Sequence, residues 1–207
     1  MNESGRVEAF SDGVFAIAIT LLVLEIKVPE HQGDGLWRAL GDQWPSYAGY
    51  GVSFLVIGIM WANHHAAFSH IVRVDRTLIF LNLLLLMVTA AIPWPTSLVA
   101  EYLREGDAAE TAVAVYSGFM VLQALLFTVF WWYVTHRGHL LRADVDRSAA
   151  RRTRVRFGLG SAAYPLLLAL SFVAPLVTLL LHGVLAVYYA FNQVRIPEAQ
   201  EEPAVAG

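Results

Sequence analysis

Long apolar segments are the feature of this chain that most constrains its fold. Several of them reach the roughly 20 residues that a helix needs to cross a bilayer core. Of the 207 residues, 57% are hydrophobic and only 15% are charged, whereas soluble domains carry about 25% charged residues. Because a bilayer core offers no water to the backbone, such segments cross it as helices. The sequence therefore predicts an all-α, polytopic membrane protein.

We predict six membrane-spanning helices, of which the last two depend on a proline. The stretch from Phe157 to Val194 would measure about 57 Å as one helix, nearly twice the thickness of the bilayer core. Ala174-Pro175 is the expected break, because proline removes a helical donor and clashes with the preceding turn. The predicted spans are residues 8–27, 45–68, 78–100, 112–135, 157–173 and 176–193.

The placement of basic residues predicts the orientation. Eleven of the 14 Lys and Arg residues lie at the termini or in the second and fourth loops. Because basic residues concentrate on the cytoplasmic side, both termini are predicted to be cytoplasmic. The opposite loops are acidic, which would mildly concentrate cations or simply keep these loops soluble. We expect a multi-pass protein of the cell (plasma) membrane, with one six-helix domain at residues 1–196 and a disordered cytoplasmic tail at residues 197–207.

Polar residues lie at a similar depth inside three of the predicted spans. Asp12 is about one turn inside the first span, His64 and His65 lie near the same end of the second, and Asn82 near the same end of the third. A carboxylate within the membrane is stable when it is paired and hydrogen-bonded. We therefore expect Asp12 to face these groups, with Arg6 as a further candidate counter-ion.

This polar layer has several interpretations. It could fix the packing of the first three helices, which we favour, or act as a proton relay or gate, since histidine titrates near physiological pH. Adjacent helical residues point about 100° apart, so His64 and His65 do not easily bind one ion, and we predict no metal site. A lipid enzyme using Asp12 and the histidines is poorly supported. The chain has no cysteine and no nucleophile elbow, zincin motif or phosphate-binding loop, so we predict neither enzymatic activity nor a cofactor.

The first helix has an apolar stripe on its other face. Ile17, Leu21 and Leu24 follow the i, i+4, i+7 spacing of one helical face, and Thr20 flanks them. Asp12 points about 140° away from Ile17. Periodicity alone assigns the stripe to lipid or to ordinary helix packing. Several copies of the helix around a symmetry axis could instead form stacked apolar rings around a pore.

Two segments in the first half of the chain carry a family resemblance. The first, RVEAFSDGVFAIAITLLVLEI at residues 6–26, contains the motif Arg-x-x-x-Phe-Ser-Asp at Arg6, Phe10, Ser11 and Asp12. The second covers residues 61–99 and begins with WANHHAAF. Both resemble the transmembrane protein 175 family of lysosomal and prokaryotic potassium channels. A motif of this length is far more specific than a short pattern.

The resemblance implies a homotetramer of six-helix subunits in the lipid bilayer, with helix 1 lining a central pore. Ile17, Leu21 and Leu24 would form the pore constriction, and Thr20 would place a hydroxyl at the narrow region. The Phe-Ser-Asp motif would hold helix 1 against helices 2 and 3. The predicted structural or gating network comprises Arg6, Phe10, Ser11, Asp12, Trp61, His64, His65 and Asn82.

Together these features favour a passive, potassium-permeable cation channel. No TVGYG-like segment is present, so we expect only modest selectivity for potassium over sodium. Sodium and protons are further candidate permeant ions, and no nucleic-acid partner is expected. The alternative function is a proton leak or proton-coupled carrier that uses Asp12, His64 and His65 as a relay.

Overall fold

The computed structural model describes residues 3–29 and 35–191, and every regular element in those two ranges is a helix. The predicted all-α class is confirmed, while the predicted tail at residues 197–207 lies outside the described residues. A short 3₁₀ helix, Leu22–Glu25, continues the first α-helix. The α-helices are α1 Glu3–Leu21, α2 Leu36–Asp42, α3 Trp44–Phe68, α4 Arg76–Ala91, α5 Pro93–Tyr102, α6 Asp107–His136, α7 Arg147–Ser161, α8 Ala163–Ser171 and α9 Pro175–Phe191.

Four helical segments in the described ranges are long and apolar enough to cross a membrane. They overlap the first four predicted spans. The fifth predicted span covers the end of α7 and the nine-residue α8, and the sixth covers α9, which has 17 residues. The four long segments are Ser4–Glu25, Trp44–Phe68, Arg76–Tyr102 and Asp107–His136.

Prolines lie at or near three interruptions of the helical paths. The single helix predicted over residues 78–100 is instead α4 and α5, joined at Ile92, whose backbone remains helical at φ −56° and ψ −35°. Pro93 and Pro95 have no N–H to donate, so the regular hydrogen-bond pattern is broken there. Pro165 lies just beyond the similar junction between α7 and α8. The break predicted at Pro175 is observed, since α8 ends at Ser171 and α9 begins at Pro175.

The basic segment after α6, predicted as a loop, is partly helical. After the turn that follows His136, helix α7 begins at Arg147 and carries several of the arginines. The loop itself packs against the loop between α3 and α4, because Ile71 and Leu141 form an isolated antiparallel bridge. The second and fourth loops therefore lie at the same end of the bundle. This is consistent with the prediction that both loops are on the same side of the membrane.

Helix α6 is the centre of the bundle and packs against α4, α5, α7, α8 and α9. Helix α3 packs against α5 and α9, and α1 joins the bundle through contacts with α3 and α4. Buried side chains from these helices form two apolar clusters. One includes Phe15, Ile57 and Met120, and the other includes Phe68 and Trp131. Helix α1 is thus a peripheral helix of the bundle, held along one side.

Candidate functional site

The two sides of α1 differ sharply in burial. Ser11, Phe15, Ala18 and Leu22 follow one helical face and are almost completely buried. Their spacing of four, three and four residues is that of a face packed against neighbouring helices. We call these four residues the inner face of α1. It is the side through which α1 contacts α3 and α4.

Large apolar side chains occupy the opposite side of α1. Ile17 is 61% exposed and Leu24 is 69% exposed, and Leu21 and Phe10 are also exposed. Thr20 lies among them, and its hydroxyl donates to the Ile17 carbonyl at 2.9 Å. We call these five residues the outer stripe. The predicted constriction residues therefore share one exposed side of the helix, and Phe10, predicted within the polar network, lies on that side as well.

A buried hydrogen-bond chain joins the inner face to α3 and α4. The Asn82 amide nitrogen donates to Ser11 Oγ at 2.9 Å, and Ser11 in turn donates to the Val7 carbonyl at 2.8 Å. The Asn82 amide oxygen lies 2.8 Å from His64 Nε2. Because that oxygen can only accept, Nε2 of His64 carries the hydrogen. Three helices are thus held together by side chains that fix one another's orientation.

Aromatic rings surround the imidazole of His64. Phe68 stacks on it with ring centroids 4.5 Å apart, and Phe15 and Phe130 approach at 5.3 and 6.1 Å. Nδ1 of His64 has no hydrogen-bond partner in residues 3–29 and 35–191. His64 is therefore held by one polar contact and by packing of its ring, as expected of a residue that fixes helix positions.

Asp12 and His65 form separate contacts at the edge of this chain. Trp61 Nε1 donates to Asp12 Oδ1 at 2.9 Å, and His65 Nδ1 lies 2.8 Å from Glu8 Oε1. The rings of Trp61 and His65 also stack, with centroids 5.9 Å apart. We expected Asp12 to face the histidine pair, but its hydrogen-bond partner is Trp61, one turn before His65. The two adjacent histidines point in different directions and have different partners.

Arg6 does not pair with Asp12 in the structure. Its exposed side chain lines a surface groove together with Val7, Phe10, Ile79 and others from α4. No ion pair between Arg6 and Asp12 occurs in the part of the chain that the structure describes. The predicted network thus divides into a buried chain, two edge contacts and Arg6, which lines the same groove as Asn82.

Sequence reasoning missed a second group of buried polar side chains, centred on α6. Ser117 Oγ lies 2.9 Å from His182 Nε2 on α9. Gln123 Nε2 donates to Thr89 Oγ1 on α4 at 2.9 Å. The signal was available, because a histidine or glutamine inside an apolar span must find a partner there. No group of three or more metal-ligating side chains occurs within the described ranges.

Comparison with known proteins agrees with the motif at the start of α1. The family model described as "Endosomal/lysosomal potassium channel TMEM175" matches residues 6–93. A potassium channel of Streptomyces collinus is 65% identical over 198 residues, covering 95% of this chain and 96% of that protein. A potassium channel of Chamaesiphon minutus is 42% identical over 194 residues, covering 92% of this chain and 95% of that protein.

A solved structure gives the same result for the fold. The crystal structure of a lysosomal potassium-selective channel TMEM175 homolog from Chamaesiphon minutus superposes with a TM-score of 0.84 at 40% identity. The match covers 93% of this chain and 99% of that one. The resemblance carried by the two motif segments is therefore confirmed, and the chain belongs to the TMEM175 family.

Proposed function

We propose that this protein is a potassium-permeable cation channel, formed by a homotetramer in which α1 of each subunit lines a central pore. Relatives that match nearly all of the chain are named potassium channels, and the similar crystal structure is of a potassium-selective homolog. The remaining question is where ions cross. The single observation that carries our assignment is the exposure of the outer stripe on α1.

Helix α1 is the least buried of the four long apolar segments. Only 22% of its most apolar stretch is buried within the subunit, compared with 33–44% for the other three. A helix attached along one face has its other face available for symmetry-related copies. In a ring of four subunits, the outer stripes would meet around the axis.

The outer stripe has the chemistry of a hydrophobic constriction. Ile17 and Leu21 are separated by a rise of about 6 Å in α1. Leu21 and Leu24 are also about 6 Å apart, because the 3₁₀ helix rises about 2 Å per residue, so four copies would form three stacked rings. Such a constriction conducts only when it is wide enough to stay hydrated. Thr20 would add an acceptor, since its hydrogen is used by the Ile17 carbonyl and its exposed oxygen can face a cation.

The remaining predicted features fit this assembly as part of the same proposal. We propose six spans within residues 1–196, with the end of α7 and α8 together as the fifth crossing, α9 as the sixth, and both termini in the cytoplasm of a cell membrane. The buried chain through Ser11, Asn82 and His64 would fix the position of α1 against α3 and α4, and the contact between Asp12 and Trp61 would do so at the edge. In this proposal the protein has no catalytic residues and needs no cofactor besides the permeant ions.

Ion flux into liposomes containing the purified full-length protein tests the proposal. Potassium, sodium and a large organic cation are compared for the wild type, Ile17→Ala and Met87→Ala. Met87 on α4 is a matched control, because it is 62% exposed and Ile17 is 61% exposed. We expect wild-type flux to be larger for potassium than for sodium, with faster flux or weaker discrimination in Ile17→Ala alone. Equal behaviour of all three proteins would exclude the outer stripe as the constriction.

The alternative function is a proton leak or proton-coupled carrier through the polar layer. The contacts of that layer give it less support. Asp12 is bonded to the indole of Trp61, which donates a hydrogen bond but cannot accept a proton for relay. A pH-sensitive dye inside the same liposomes distinguishes the two functions. Proton flux that is lost in Asp12→Asn, without potassium flux in the wild type, would establish the alternative.

A further inference from the structure

Three arginines on one side of α7 form no ion pair. Arg147, Arg151 and Arg154 follow the i, i+4, i+7 spacing, so they lie within about 60° of one another around the helix. Arg147 and Arg151 are exposed, and Arg154 is half-buried. Within residues 3–29 and 35–191, none of the three lies at ion-pair distance from a carboxylate. We call these three residues the arginine face.

Other arginines of the same segment are neutralised by nearby acids. Arg142 donates to the Asp144 carboxylate from Nε at 3.1 Å and from Nη2 at 2.7 Å. Arg152, on another side of α7, lies 3.8 Å from the carboxylate of Asp146. Membrane orientation depends on how many basic residues a loop carries and not on which of them are paired. The clustering of the unpaired arginines on one face therefore needs a further reason.

Another side of α7 is fixed against α6. Ala150 is buried, and Trp131 Nε1 donates to Thr153 Oγ1 at 2.8 Å. Arg154 Nε donates to Thr135 Oγ1 on α6 at 2.5 Å. These contacts set the rotation of α7 about its axis, so the exposed guanidinium groups of the arginine face point away from the interior of the bundle.

The arginine face lies near the depth of lipid head groups. Arg154 is three residues before residue 157, where the predicted fifth span begins, and Arg147 is ten residues before it. The three arginines are therefore about 5–15 Å from the apolar core along the helix. The polar region of each leaflet is about 5–8 Å thick, and long arginine side chains reach it from positions slightly outside.

An aromatic pair on α6 lies beside the arginine face. Trp132 is 49% exposed and stacks on His136 with ring centroids 5.0 Å apart. Thr135, the partner of Arg154, is in the same turn of α6 and donates to the Trp132 carbonyl at 3.2 Å. Exposed tryptophans are typical of the boundary between head groups and acyl chains. Cationic and apolar surfaces therefore adjoin here.

The chemistry of this surface defines its partner. Burial and the charge of Arg151 lower the pKa of Arg154, so like charges repel one another here and a bound anion would relieve the repulsion. Guanidinium groups bind phosphate oxygens through paired N–H donors. The adjoining tryptophan requires hydrocarbon as well, which an acidic peptide or a nucleic acid does not supply. A phosphate attached to acyl chains meets both requirements.

We propose that the arginine face binds an anionic phospholipid, whose phosphate contacts Arg147 and Arg151 and whose acyl chains lie beside Trp132. Arg154 adds a third positive charge at the end nearer the apolar core. The proposal rests on the membrane spans of the proposed function but not on ion conduction. Lipid binding without ion flux would therefore leave it intact.

Native mass spectrometry of the full-length protein in neutral detergent tests the proposal. Phosphatidylglycerol and phosphatidylcholine with identical acyl chains are titrated, and the dissociation constant of the first bound lipid is measured for each. We expect the wild type to bind phosphatidylglycerol at least about tenfold more tightly. Arg147→Gln with Arg151→Gln should weaken this binding about thirtyfold, since each arginine near an anionic lipid contributes about fivefold.

A charge-matched variant separates the arginine face from general attraction. Arg142→Gln with Arg152→Gln removes the same number of positive charges from the same segment, and it also frees the carboxylates of Asp144 and Asp146. General attraction would therefore fall at least as far in this control. We expect its affinity for phosphatidylglycerol to change by less than about threefold.

Four results would overturn the proposal. Equal losses in the two double variants would mean that only net charge matters, and equal wild-type affinities for the two lipids would exclude a phosphate requirement. Displacement of the lipid by glycerol 3-phosphate at tenfold excess would identify a free phosphate compound as the ligand. Tighter lipid binding after Glu201→Gln with Glu202→Gln would assign the arginine face to the acidic tail. The wild-type comparison and the glycerol 3-phosphate competition need no variant, so they decide even where a variant folds poorly.

Discussion

The inner face and the outer stripe of α1 differ in burial although both are largely apolar. Each contains large hydrophobic side chains, such as Phe15 on the inner face and Ile17 on the outer stripe. Phe15 is buried and Ile17 is exposed. The inner face also carries Ser11, whose oxygen accepts from Asn82 across the helix interface. In an apolar segment hydrophobicity alone does not identify the face that packs against neighbouring helices, and a polar side chain with a partner helps to fix it.

The largest expected effect comes from truncating the inner face. Phe15→Ala removes a fully buried ring and should lower the free energy of unfolding by roughly 3–5 kcal/mol. Ile17→Ala should change the same quantity by less than about 0.5 kcal/mol, because exposed positions are tolerant. Both are measured by denaturant titration of the protein in micelles. Equal losses in the two variants would remove the distinction between the faces.

The next largest effect should come from the buried hydrogen-bond chain. Asn82→Leu leaves Ser11 Oγ and His64 Nε2 without their partner, which should lower the free energy of unfolding by about 2–3 kcal/mol. Thr20→Val on the outer stripe is the control, because the Thr20 hydroxyl contacts only its own helix in the structure, and we expect little change.

A double-mutant cycle sharpens this prediction. If Ser11 and Asn82 act through the bond between them, Ser11→Ala should destabilise the Asn82→Leu protein less than it destabilises the wild type. The same unfolding titration on the four proteins measures this coupling. Strictly additive losses would show that Asn82 stabilises α1 by some other contact.

The depth of the polar layer could be predicted from sequence, but its pairing could not. Polar residues in apolar spans must meet, so we expected Asp12, the two histidines and Asn82 near one level, and in the structure Asn82 contacts His64 and Ser11. Whether His64 or His65 faces α1 and α4 depends on the rotation of α3 about its axis. That rotation is set by packing with helices distant in sequence, and a single sequence does not contain it. For the same reason, Trp61 as the partner of Asp12 is visible only in the structure.

Helix boundaries show a similar division. The break at Pro175 followed directly from the chemistry of proline, and the interruption at Ile92 could have been predicted from Pro93 and Pro95 by the same rule. Gln123 is a different case. A glutamine in an apolar span predicts that a hydrogen-bond partner exists, but the sequence does not show which residue it is. A cavity beside Gln123 is lined by residues of α3, α6, α7, α8 and α9 and has no sequence signal.

The contact between Asp12 and Trp61 should contribute less than the buried chain. Trp61→Phe removes the 2.9 Å hydrogen bond to Asp12 but keeps most of the ring. Because both side chains are partly exposed, we expect a loss of only about 1 kcal/mol in the free energy of unfolding. Trp37→Phe, at an exposed position in α2, is the control. A loss as large as that of Asn82→Leu would mean that the edge contact, rather than the inner face, anchors α1.

Asp75 supports the inner face indirectly, by fixing the start of α4. Its carboxylate accepts from the Leu78 backbone N–H at 2.8 Å and from the Tyr133 hydroxyl at 2.7 Å. Partial burial acts to raise the pKa of Asp75. The two hydrogen bonds and the charges of Arg137 and His139 outweigh it, so the pKa lies below its usual value of 3.8. The ionised carboxylate is therefore the form that stabilises the folded protein.

The smallest predicted effect is a pH dependence that Tyr133→Phe reduces. A group with a depressed pKa in the folded state stabilises the protein above its unfolded pKa, near 4, and loses that contribution as the pH falls through the folded value. Without the Tyr133 hydroxyl the pKa of Asp75 should rise. Above pH 5 the free energy of unfolding of the wild type should therefore exceed that of Tyr133→Phe by up to about 1 kcal/mol. This difference should shrink below pH 4, as unfolding titrations between pH 3 and 6 would show. In the Asp75→Asn background it should no longer depend on pH, because the amide oxygen accepts from Tyr133 without titrating. A difference that stays constant with pH would instead assign the effect to packing of the Tyr133 ring between α6 and the start of α4.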